Sequence, residues 1–285
     1  MAGVPQIQVH EPNGRTMSAV TGQRPLVVAH RGSSYVLAEH TLGAYVRAIE
    51  EGADGLECDV RLTRDGHLVC VHDRRIDRTS SGRGVVSEFD LDDLRGLDFG
   101  SWHADLPATE DAFIEERDST EAPVLTLERL LEVVLAARRQ VRLLIETKHP
   151  TRYAGLVEQQ LVRLLRRFGL DSPPDRATSQ VAVMSFAPVA LRRIRLLAPA
   201  LPTVQLYDRM PVLRRDGSLA ADIAGPAVHI LRAHPEYVKR VHARDHPVYV
   251  WTVDEPEDLE LVLELGVDAV ITNRPTEVLA RLAAR

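Results

Sequence analysis

Short apolar runs alternate with amphipathic segments along most of the chain. The apolar runs are rich in Val, Ile and Leu, as expected of strands that are buried on both faces. We place these strands at residues 26–29, 55–59, 141–147, 181–184, 203–206, 227–230, 248–253 and 269–272. The segments between them have helical spacing and place helices at residues 41–51, 125–138, 153–168, 188–197, 236–243, 256–265 and 276–284. Eight strands that alternate with helices predict a parallel (β/α)8 or TIM barrel.

Two alternatives to this fold stay open at this level. A doubly wound sheet also alternates strands with helices, but no glycine-rich phosphate loop follows the first strand. The strand count could also include residues 68–71, in which case the weaker strand at 203–206 or 227–230 would drop out. We favour the count in which 68–71 is the return arm of a hairpin.

A β-hairpin is predicted directly after the second strand, and it brings ionisable side chains together. An Asp-Gly pair lies between two alternating apolar runs and supplies the positive φ that a tight turn needs. Folding the arms about this turn pairs Val60 with Cys70 and returns His72 beside Glu57 and Asp59. Residues two apart on a strand face the same side, so both carboxylates point one way. The arrangement indicates a hard-cation site with an acid–base group at its edge.

Polar and charged side chains gather where the predicted strands end. In parallel barrels these C-terminal ends share one face, which carries the active site. The side chains there are His30, Arg31, Glu57, Asp59, Glu146, Lys148, Ser185, Phe186, Gln205, Trp251, Asn273 and Arg274. Charged residues are rarely buried without partners, so this convergence indicates a functional site.

Each of these residues also has an ordinary structural explanation when it is taken alone. His30 fits a hydrogen-bonded structural histidine, and Glu146 with Lys148 fits an ion pair at a strand end. Trp251 fits a core side chain as well as a binding residue. Ser185 fits a hydrogen-bond partner better than a nucleophile, because no His-Asp couple is evident beside it.

Two segments lie outside the regular alternation. Residues 1–24 have neither the basic nor the apolar region of a signal peptide, and we expect them to be a flexible leader. Residues 74–123 form a long run of turns, and a run of that length predicts an inserted cap segment. We expect residues 25–285 to form one domain that contains this cap.

Composition limits the classes of protein to which the chain can belong. Its 285 residues are 45% hydrophobic, which is enough for one large core. A formal net charge of −6 gives no general attraction to nucleic acid or anionic membranes. No apolar run approaches the roughly 20 residues of a membrane helix, so we expect a cytoplasmic protein without membrane insertion. Cys58 and Cys70 fit small buried residues, although their proximity would allow a disulfide.

Four motifs, taken in order, give the chain a specific family resemblance. They are HRG at 30–32, ExD at 57–59, HD at 72–73 and ExK at 146–148. Together they resemble the glycerophosphodiester phosphodiesterase family of the bacterial, cytoplasmic type, whereas HRG alone would be weak. The resemblance runs from Leu26 almost to the C-terminus, and it implies a TIM barrel with a small insertion that matches residues 74–123.

The resemblance also implies an activity and a set of roles. Family members hydrolyse glycerophosphodiesters such as glycerophosphocholine and glycerophosphoethanolamine to sn-glycerol 3-phosphate and an alcohol with one divalent cation, and oxygen ligands favour Mg²⁺ or Ca²⁺. The implied metal ligands are Glu57, Asp59 and Glu146. The implied acid and base are His30 and His72, the phosphate-binding residues are Arg31 and Lys148, and Glu39 and Trp251 are further substrate-binding candidates. The choice of acid and base stays open, as does direct water attack against a cyclic phosphate intermediate.

The chain departs from the family pattern at one turn. It reads AEHT where the family reads PENT, with Ala38 for the proline and His40 for the asparagine. This leaves the role of the turn open, while the implied catalytic set is intact.

The cap segment carries residues that could select the substrate. Because it begins directly after His72, its first residues should stand over the site. Phe99 and Trp102 are candidates for an amphipathic wall around the alcohol half of the substrate. A short amphipathic piece is expected near residues 91–97, and a solvated excursion is expected at residues 109–121.

Three other functions are compatible with parts of this pattern. A lysophospholipase D-like or sphingomyelinase D-like enzyme would share the catalytic layout, but the sequence shows no apolar approach to the site. A non-catalytic phosphodiester-binding barrel is disfavoured because both His30 and His72 are present. An unrelated barrel with a Schiff-base Lys148 would not depend on metal, so chelation separates it from a metallophosphodiesterase.

Overall fold

The chain folds as a parallel barrel surrounded by helices, which confirms the predicted fold. The computed structural model describes residues 24–105, 121–210 and 221–285. The strands are β1 (Leu26–His30), β2 (Gly55–Leu62), β3 (Leu68–Cys70), β4 (Arg142–Thr147), β5 (Val181–Ser185), β6 (Thr203–Tyr207), β7 (Ile223–Pro226), β8 (Tyr249–Val250) and β9 (Ala269–Thr272). The barrel order is β7-β6-β5-β4-β2-β1-β9-β8, with β3 attached to β2. Parallel bridges at Ala224–Val248 and Ala227–Trp251 join β7 to β8, so the barrel is nearly closed.

The helices begin and end close to their sequence signals. They are α1 (Leu42–Glu51), α2 (Leu91–Arg95), α3 (Leu127–Ala136), α4 (Leu156–Arg167), α5 (Pro188–Leu197), α6 (Val228–Ala233), α7 (Glu236–His242), α8 (Pro256–Leu265) and α9 (Pro275–Ala283). The Thr41 side chain caps α1 by accepting a hydrogen bond from the Ala44 amide. Gly52 ends the same helix in the left-handed conformation, at φ +96°.

One predicted strand is wrong and another is longer than the observed one. Residues 227–230 lead into helix α6, and the strand lies just before them at Ile223–Pro226. Gly and Pro weaken the strand signal of that run, but packing between neighbouring strands overrides local propensity. The predicted strand at 248–253 shortens to Tyr249–Val250.

The hairpin after β2 forms in the predicted register. Val60 pairs with Cys70, and Leu62 pairs with Leu68. Gly66 takes φ +89° in the turn, as an Asp-Gly pair favours. β3 is therefore a hairpin arm outside the barrel, which confirms the count of eight barrel strands.

Strand alternation decides which side chains line the barrel interior. Val28 and Leu144 belong to an apolar cluster to which strands all around the barrel contribute. His30 and Glu146 are each two residues further along the same strands, so their side chains also face the barrel interior. The apolar interior therefore continues into a charged layer at the C-terminal ends of the strands.

The described residues of the inserted segment pack against β3 and its neighbours through a small apolar core. This core contains Val69, Val71, Ile76, Val86, Leu91, Leu94, Phe99 and Val124. The predicted amphipathic piece forms α2. The sequence suggested that Phe99 lines a wall around the substrate. In the structure Phe99 is only 6% exposed and instead anchors the segment in this core. Trp102 is half-buried, and its indole N–H donates to the Phe99 carbonyl at 2.9 Å.

Four further sequence expectations can be compared with the described residues. The leader lies outside the described residues except for Arg24, which forms a bidentate ion pair with Asp54. The excursion expected at 109–121 lies outside them except for Glu121. Cys58 and Cys70 are buried free thiols. Within the described residues, no helix has both the length and the apolar character needed to cross a bilayer.

We expect Gly32→Ala to destabilise the fold strongly. Gly32 has φ +88°, and an added Cβ would lie 2.7 Å from the backbone carbonyl carbon of Ala44. Strain and overlap together should lower the free energy of unfolding by about 2 kcal/mol or more, measured by urea denaturation. Gly43→Ala is the matched control, because nothing lies within 4 Å of its added Cβ. An equal loss in both variants would contradict the steric explanation.

Candidate active site

Three carboxylates meet inside the C-terminal end of the barrel. One oxygen from each of Glu57, Asp59 and Glu146 can be chosen so that all lie within 4.8 Å of one another. The register places Asp59 of β2 directly beside Glu146 of β4. All three side chains are buried. The structure thus brings together the three residues that the sequence singled out as ligands.

Two cationic side chains reach into this acidic cluster. Lys148 Nζ lies 3.0 Å from Asp59 Oδ1 and 2.9 Å from Glu146 Oε1. Arg31 Nε lies 3.1 Å from Asp59 Oδ2. That Arg31 contact is an ion pair without the alignment of a hydrogen bond. Asp59 is therefore the carboxylate at which the positive charges converge.

The three carboxyl groups respond differently to this environment. Burial and the neighbouring Asp59 charge raise the pKa of Glu57 well above its ordinary value. Burial and Asp59 also raise the pKa of Glu146 to about 8. Burial opposes ionisation of Asp59 too, but the charge of Lys148 and the hydrogen bond from His40 bring its pKa well below the ordinary value. Without further positive charge, Asp59 is ionised while Glu57 and Glu146 favour the protonated form.

The HRG turn directs Arg31 back over the cluster. Arg31 has φ +59°, an uncommon value for a residue with a side chain. Its backbone N–H donates to the Glu57 carbonyl at 3.1 Å. Its guanidinium NH1 donates to Glu39 Oε1 at 3.1 Å. The left-handed turn thus fixes both ends of Arg31, one against β2 and the other against Glu39.

Glu39 is held by two arginines. Arg78 of the inserted segment donates to both Glu39 oxygens, at 2.9 and 2.8 Å, and Arg31 donates to one of them. Burial alone would raise the pKa of Glu39, but the hydrogen bonds from Arg78 and the charge of Arg31 lower it to about 2. Glu39 therefore lies in the predicted region, bonded to Arg31 as an anion.

His30 is oriented by a neutral amide. Its Nδ1 lies 2.7 Å from Asn273 Oδ1, and Asn273 Nδ2 donates to Asp254 Oδ2 at 2.6 Å. Because a carboxylate can only accept, Asn273 must turn its NH₂ to Asp254 and its oxygen to His30. Nδ1 of His30 therefore carries the hydrogen, and Nε2 faces Glu57 Oε2 at 3.9 Å. Burial and the charge of Arg31 lower the pKa of His30 to about 3.

His72 is oriented by a carboxylate instead. Its Nδ1 lies 2.7 Å from Asp73 Oδ1, and the other Asp73 oxygen accepts from Arg78 Nε at 2.7 Å. Arg61 donates to the His72 carbonyl from Nε and NH2. Burial is the largest effect on the pKa of His72 and lowers it, whereas the hydrogen bond to Asp73 opposes that shift. His72 is also more exposed than His30, at 32% against 16% of the side chain.

The remaining strand-end residues have structural partners. Trp251 donates its indole N–H to the Gly225 carbonyl at 2.8 Å and packs edge-on against Phe186. Ser185 donates to the Thr147 carbonyl at 2.8 Å, in agreement with its expected role as a hydrogen-bond partner. Gln205 donates to carbonyls at the same strand ends. Phe186 is 41% exposed, and the Lys148 ammonium lies 6.0 Å from its ring centre.

Sequence reasoning did not anticipate the residues that orient the predicted site. The sequence places Asn273 at a strand end without indicating a role, and it shows His40 only as a departure from a motif. Asp254 and Arg78 carry no local signal, because each meets its partner far along the chain. Only folding brings these residues to the site.

Comparison with known proteins agrees with this geometry. Residues 30–277 match the model of the glycerophosphoryl diester phosphodiesterase family. The chain is 46% identical over 258 residues to a probable glycerophosphodiester phosphodiesterase 1 from Mycobacterium tuberculosis, covering 90% of this chain and 92% of that protein. It is 32% identical to a glycerophosphodiester phosphodiesterase from Bacillus subtilis, covering 88% of this chain and 84% of that protein.

Solved structures share the fold. A phosphodiesterase from Oleispira antarctica, solved with the product sn-glycerol-3-phosphate, matches with a TM-score of 0.77 at 23% identity, covering 91% of this chain and 97% of that chain. A glycerophosphodiester phosphodiesterase from Parabacteroides distasonis matches with a TM-score of 0.74 at 25% identity, covering 92% and 98%. The family match and the two relatives confirm the resemblance seen in the motifs. The chain belongs to the glycerophosphoryl diester phosphodiesterase family and is an enzyme of that family.

Proposed function

We propose that this enzyme hydrolyses glycerophosphodiesters to sn-glycerol 3-phosphate and an alcohol with the help of one divalent cation. The convergence of three carboxylates, two imidazoles, Arg31 and Lys148 at one end of the barrel carries the proposal. The names of the relatives and the product bound to the Oleispira phosphodiesterase support the same substrate class. The substrate is a small molecule, and a cytoplasmic location remains a prediction.

The acidic cluster fits a hard divalent cation. Glu57, Asp59 and Glu146 offer only oxygen ligands, and Mg²⁺ and Ca²⁺ prefer such ligands. The raised pKa values of Glu57 and Glu146 fit the same assignment, because added positive charge would favour their ionised forms. When bound, the cation would help neutralise the charge that builds up on the phosphorus oxygens.

His30 has the features of the general base. The chain from Asp254 through Asn273 keeps the hydrogen of neutral His30 on Nδ1, which leaves the Nε2 lone pair facing the site. Burial and the charge of Arg31 lower the pKa of His30 and so favour the neutral ring before reaction. A neutral imidazole with a fixed lone pair can accept a proton from an attacking hydroxyl or water.

His72 has the features of the general acid. The Asp73 carboxylate at Nδ1 stabilises the protonated ring, and Arg78 holds Asp73 in place. Its partial exposure would allow the departing alcohol to leave toward solvent. A protonated His72 would donate a proton to the alkoxide, which is otherwise a poor leaving group.

Arg31 and Lys148 are proposed to bind the phosphate. Both point toward the carboxylate cluster from different strands and supply fixed positive charge there. Glu39 is bonded to Arg31, so we propose that it acts on the substrate by orienting the guanidinium. The aromatic face of Trp251 beside Phe186 is proposed to contact the apolar part of the substrate.

The inserted segment is proposed to contact the alcohol half. Its Arg78 reaches across to Glu39, and the same guanidinium lies 5.7 Å from the Trp102 ring centre. Arg78 therefore links Trp102 to Glu39 at the rim of the site, whereas Phe99 is buried in the core of the segment. These contacts support a cap role for the described residues 74–105 of the segment.

We expect chelation to abolish turnover of glycerophosphocholine and added Mg²⁺ or Ca²⁺ to restore it. Glu57→Gln should weaken cation affinity by at least about 100-fold, because losing a ligand costs more than losing an outer partner. Titration calorimetry on metal-stripped protein measures this effect. Glu158→Gln is the matched control, since Glu158 is fully buried and pairs with His149 outside the cluster. Unchanged affinity in Glu57→Gln would refute its assignment as a ligand.

We expect the two histidines to differ in their response to the leaving group. His72→Ala should lose about 10²–10⁴-fold in kcat on glycerophosphocholine but far less on glycerophospho-p-nitrophenol, whose leaving group needs no protonation. His30→Ala should lose activity on both substrates. Steady-state kinetics with the two substrates test the assignment. If His30→Ala, and not His72→Ala, retains activity on glycerophospho-p-nitrophenol, His30 is the acid and His72 is the base.

We expect Trp102→Ala to change the ranking of substrates more than the chemistry. The kcat/KM values for glycerophosphocholine, glycerophosphoethanolamine and a lysophospholipid should shift by unequal factors. Phe99→Ala is the control and should lower stability through its cavity while leaving the ranking unchanged. Equal factors in Trp102→Ala would mean that the cap does not select the alcohol, and preferred turnover of the lysophospholipid by the wild type would favour a lipid-cleaving enzyme.

A further inference from the structure

His40 is a buried residue that the proposed chemistry does not use. It lies in the turn between β1 and α1 and is 6% exposed. Its φ is +61°, in the left-handed region where Asn, Asp and His are enriched among residues with side chains. The left-handed backbone explains why the turn accepts Asn or His, but it does not explain where the imidazole points.

The imidazole of His40 points at the Asp59 carboxylate. His40 Nε2 lies 2.9 Å from Asp59 Oδ2, while the other oxygen, Oδ1, lies 3.0 Å from Lys148 Nζ. Lys148 also contacts Glu146, so Oδ1 is the oxygen that faces the acidic cluster. His40 thus binds Oδ2, which Arg31 Nε also contacts at 3.1 Å, and leaves Oδ1 turned toward the cluster.

Tyr45 holds the imidazole in this orientation from behind. Its hydroxyl lies 2.7 Å from His40 Nδ1 and 3.1 Å from the Glu57 carbonyl oxygen. Because a carboxylate only accepts hydrogen bonds, Nε2 must donate to Asp59, and the Tyr45 hydroxyl can serve either state of Nδ1. Tyr45 itself is fully buried in the main core, so the whole chain of contacts is fixed by packing.

We propose that His40, braced by Tyr45, is a positioning residue that sets the orientation of the Asp59 carboxylate for cation binding. The inference rests on the proposed role of Glu57, Asp59 and Glu146 as cation ligands. An outer hydrogen bond of this kind orients a ligand before the cation arrives, so less order has to be created on binding. The departure from the family motif at His40 thereby acquires a physical role.

Two substitutions separate the side-chain contact from the backbone conformation. The amide nitrogen of Asn sits where Nδ1 of His sits, so His40→Asn can reach Tyr45 but is too short for Asp59. The amide nitrogen of Gln sits near Nε2, so His40→Gln can still donate to Asp59. Asn tolerates the left-handed backbone well, whereas Gln does not. His40→Asn should therefore lower mainly cation affinity, and His40→Gln should lower mainly thermal stability.

The test measures Mg²⁺ and Ca²⁺ binding by titration calorimetry on metal-stripped full-length protein, together with Tm. We expect His40→Asn to weaken cation affinity by about tenfold or more while folding normally. His40→Gln should bind cation close to the wild-type affinity and have the lower Tm. Tyr45→Phe serves as a second variant if His40→Asn fails to fold, and it should also weaken cation binding because Nδ1 loses its partner.

The control and the contrary outcomes make the test specific. His242→Asn removes a histidine that pairs with Asp268, just before β9 at the opposite end of the barrel, so it should leave cation affinity unchanged. Equal affinity in the wild type and in His40→Asn would overturn the role of His40 while leaving the cation site intact. Absence of cation binding by the wild type would overturn the proposed cation site and this inference with it.

Discussion

The site depends on how the barrel accommodates three carboxylates within 4.8 Å of one another in its interior. Burying an ionised carboxylate costs several kcal/mol unless charge and hydrogen bonds compensate it. Here the compensation is concentrated on Asp59, which contacts Arg31, Lys148 and His40. Burial and the Asp59 charge raise the pKa of both Glu57 and Glu146, and added positive charge would favour their ionised forms.

The shape of the turn after β1 is explained by the need to bring positive charge to the buried Asp59. To bring a guanidinium back over Asp59, the chain must reverse immediately after the strand, and it does so with Arg31 and Gly32 both at positive φ. Gly32 approaches the backbone of α1 closely, and no side chain fits there. His40 closes the same turn in the left-handed region and contacts the same Asp59 oxygen, Oδ2, as Arg31 does. A short stretch of irregular backbone thus supplies two of the three groups that stabilise the buried anion.

The two histidines show how different partners give one side-chain type two different environments. His30 faces the neutral oxygen of Asn273 and is mostly buried, which favours an uncharged ring with a fixed lone pair. His72 faces the carboxylate of Asp73 and is partly exposed, which favours the charged ring more than the surroundings of His30 do. Arg78 connects Asp73 to Glu39, so the inserted segment also ties the surroundings of the two motifs together.

The sequence by itself determined the barrel and the hairpin register, because these follow from local periodicity, and the family resemblance of its motifs implied which carboxylates form the acidic cluster. Alternation within β2 puts Glu57 and Asp59 on one face, and the Asp-Gly turn fixes where β3 returns. Residues 227–230 were misassigned because packing overrode a weak local propensity.

Only the tertiary structure decided how the site is oriented. The pairing of Asn273 with His30, of His40 with Asp59 and of Arg78 with Glu39 joins residues on separate elements, and no spacing along the chain encodes those contacts. Burial likewise depends on the whole fold, so the preferred protonation of each acidic or basic group appears only when the barrel encloses it.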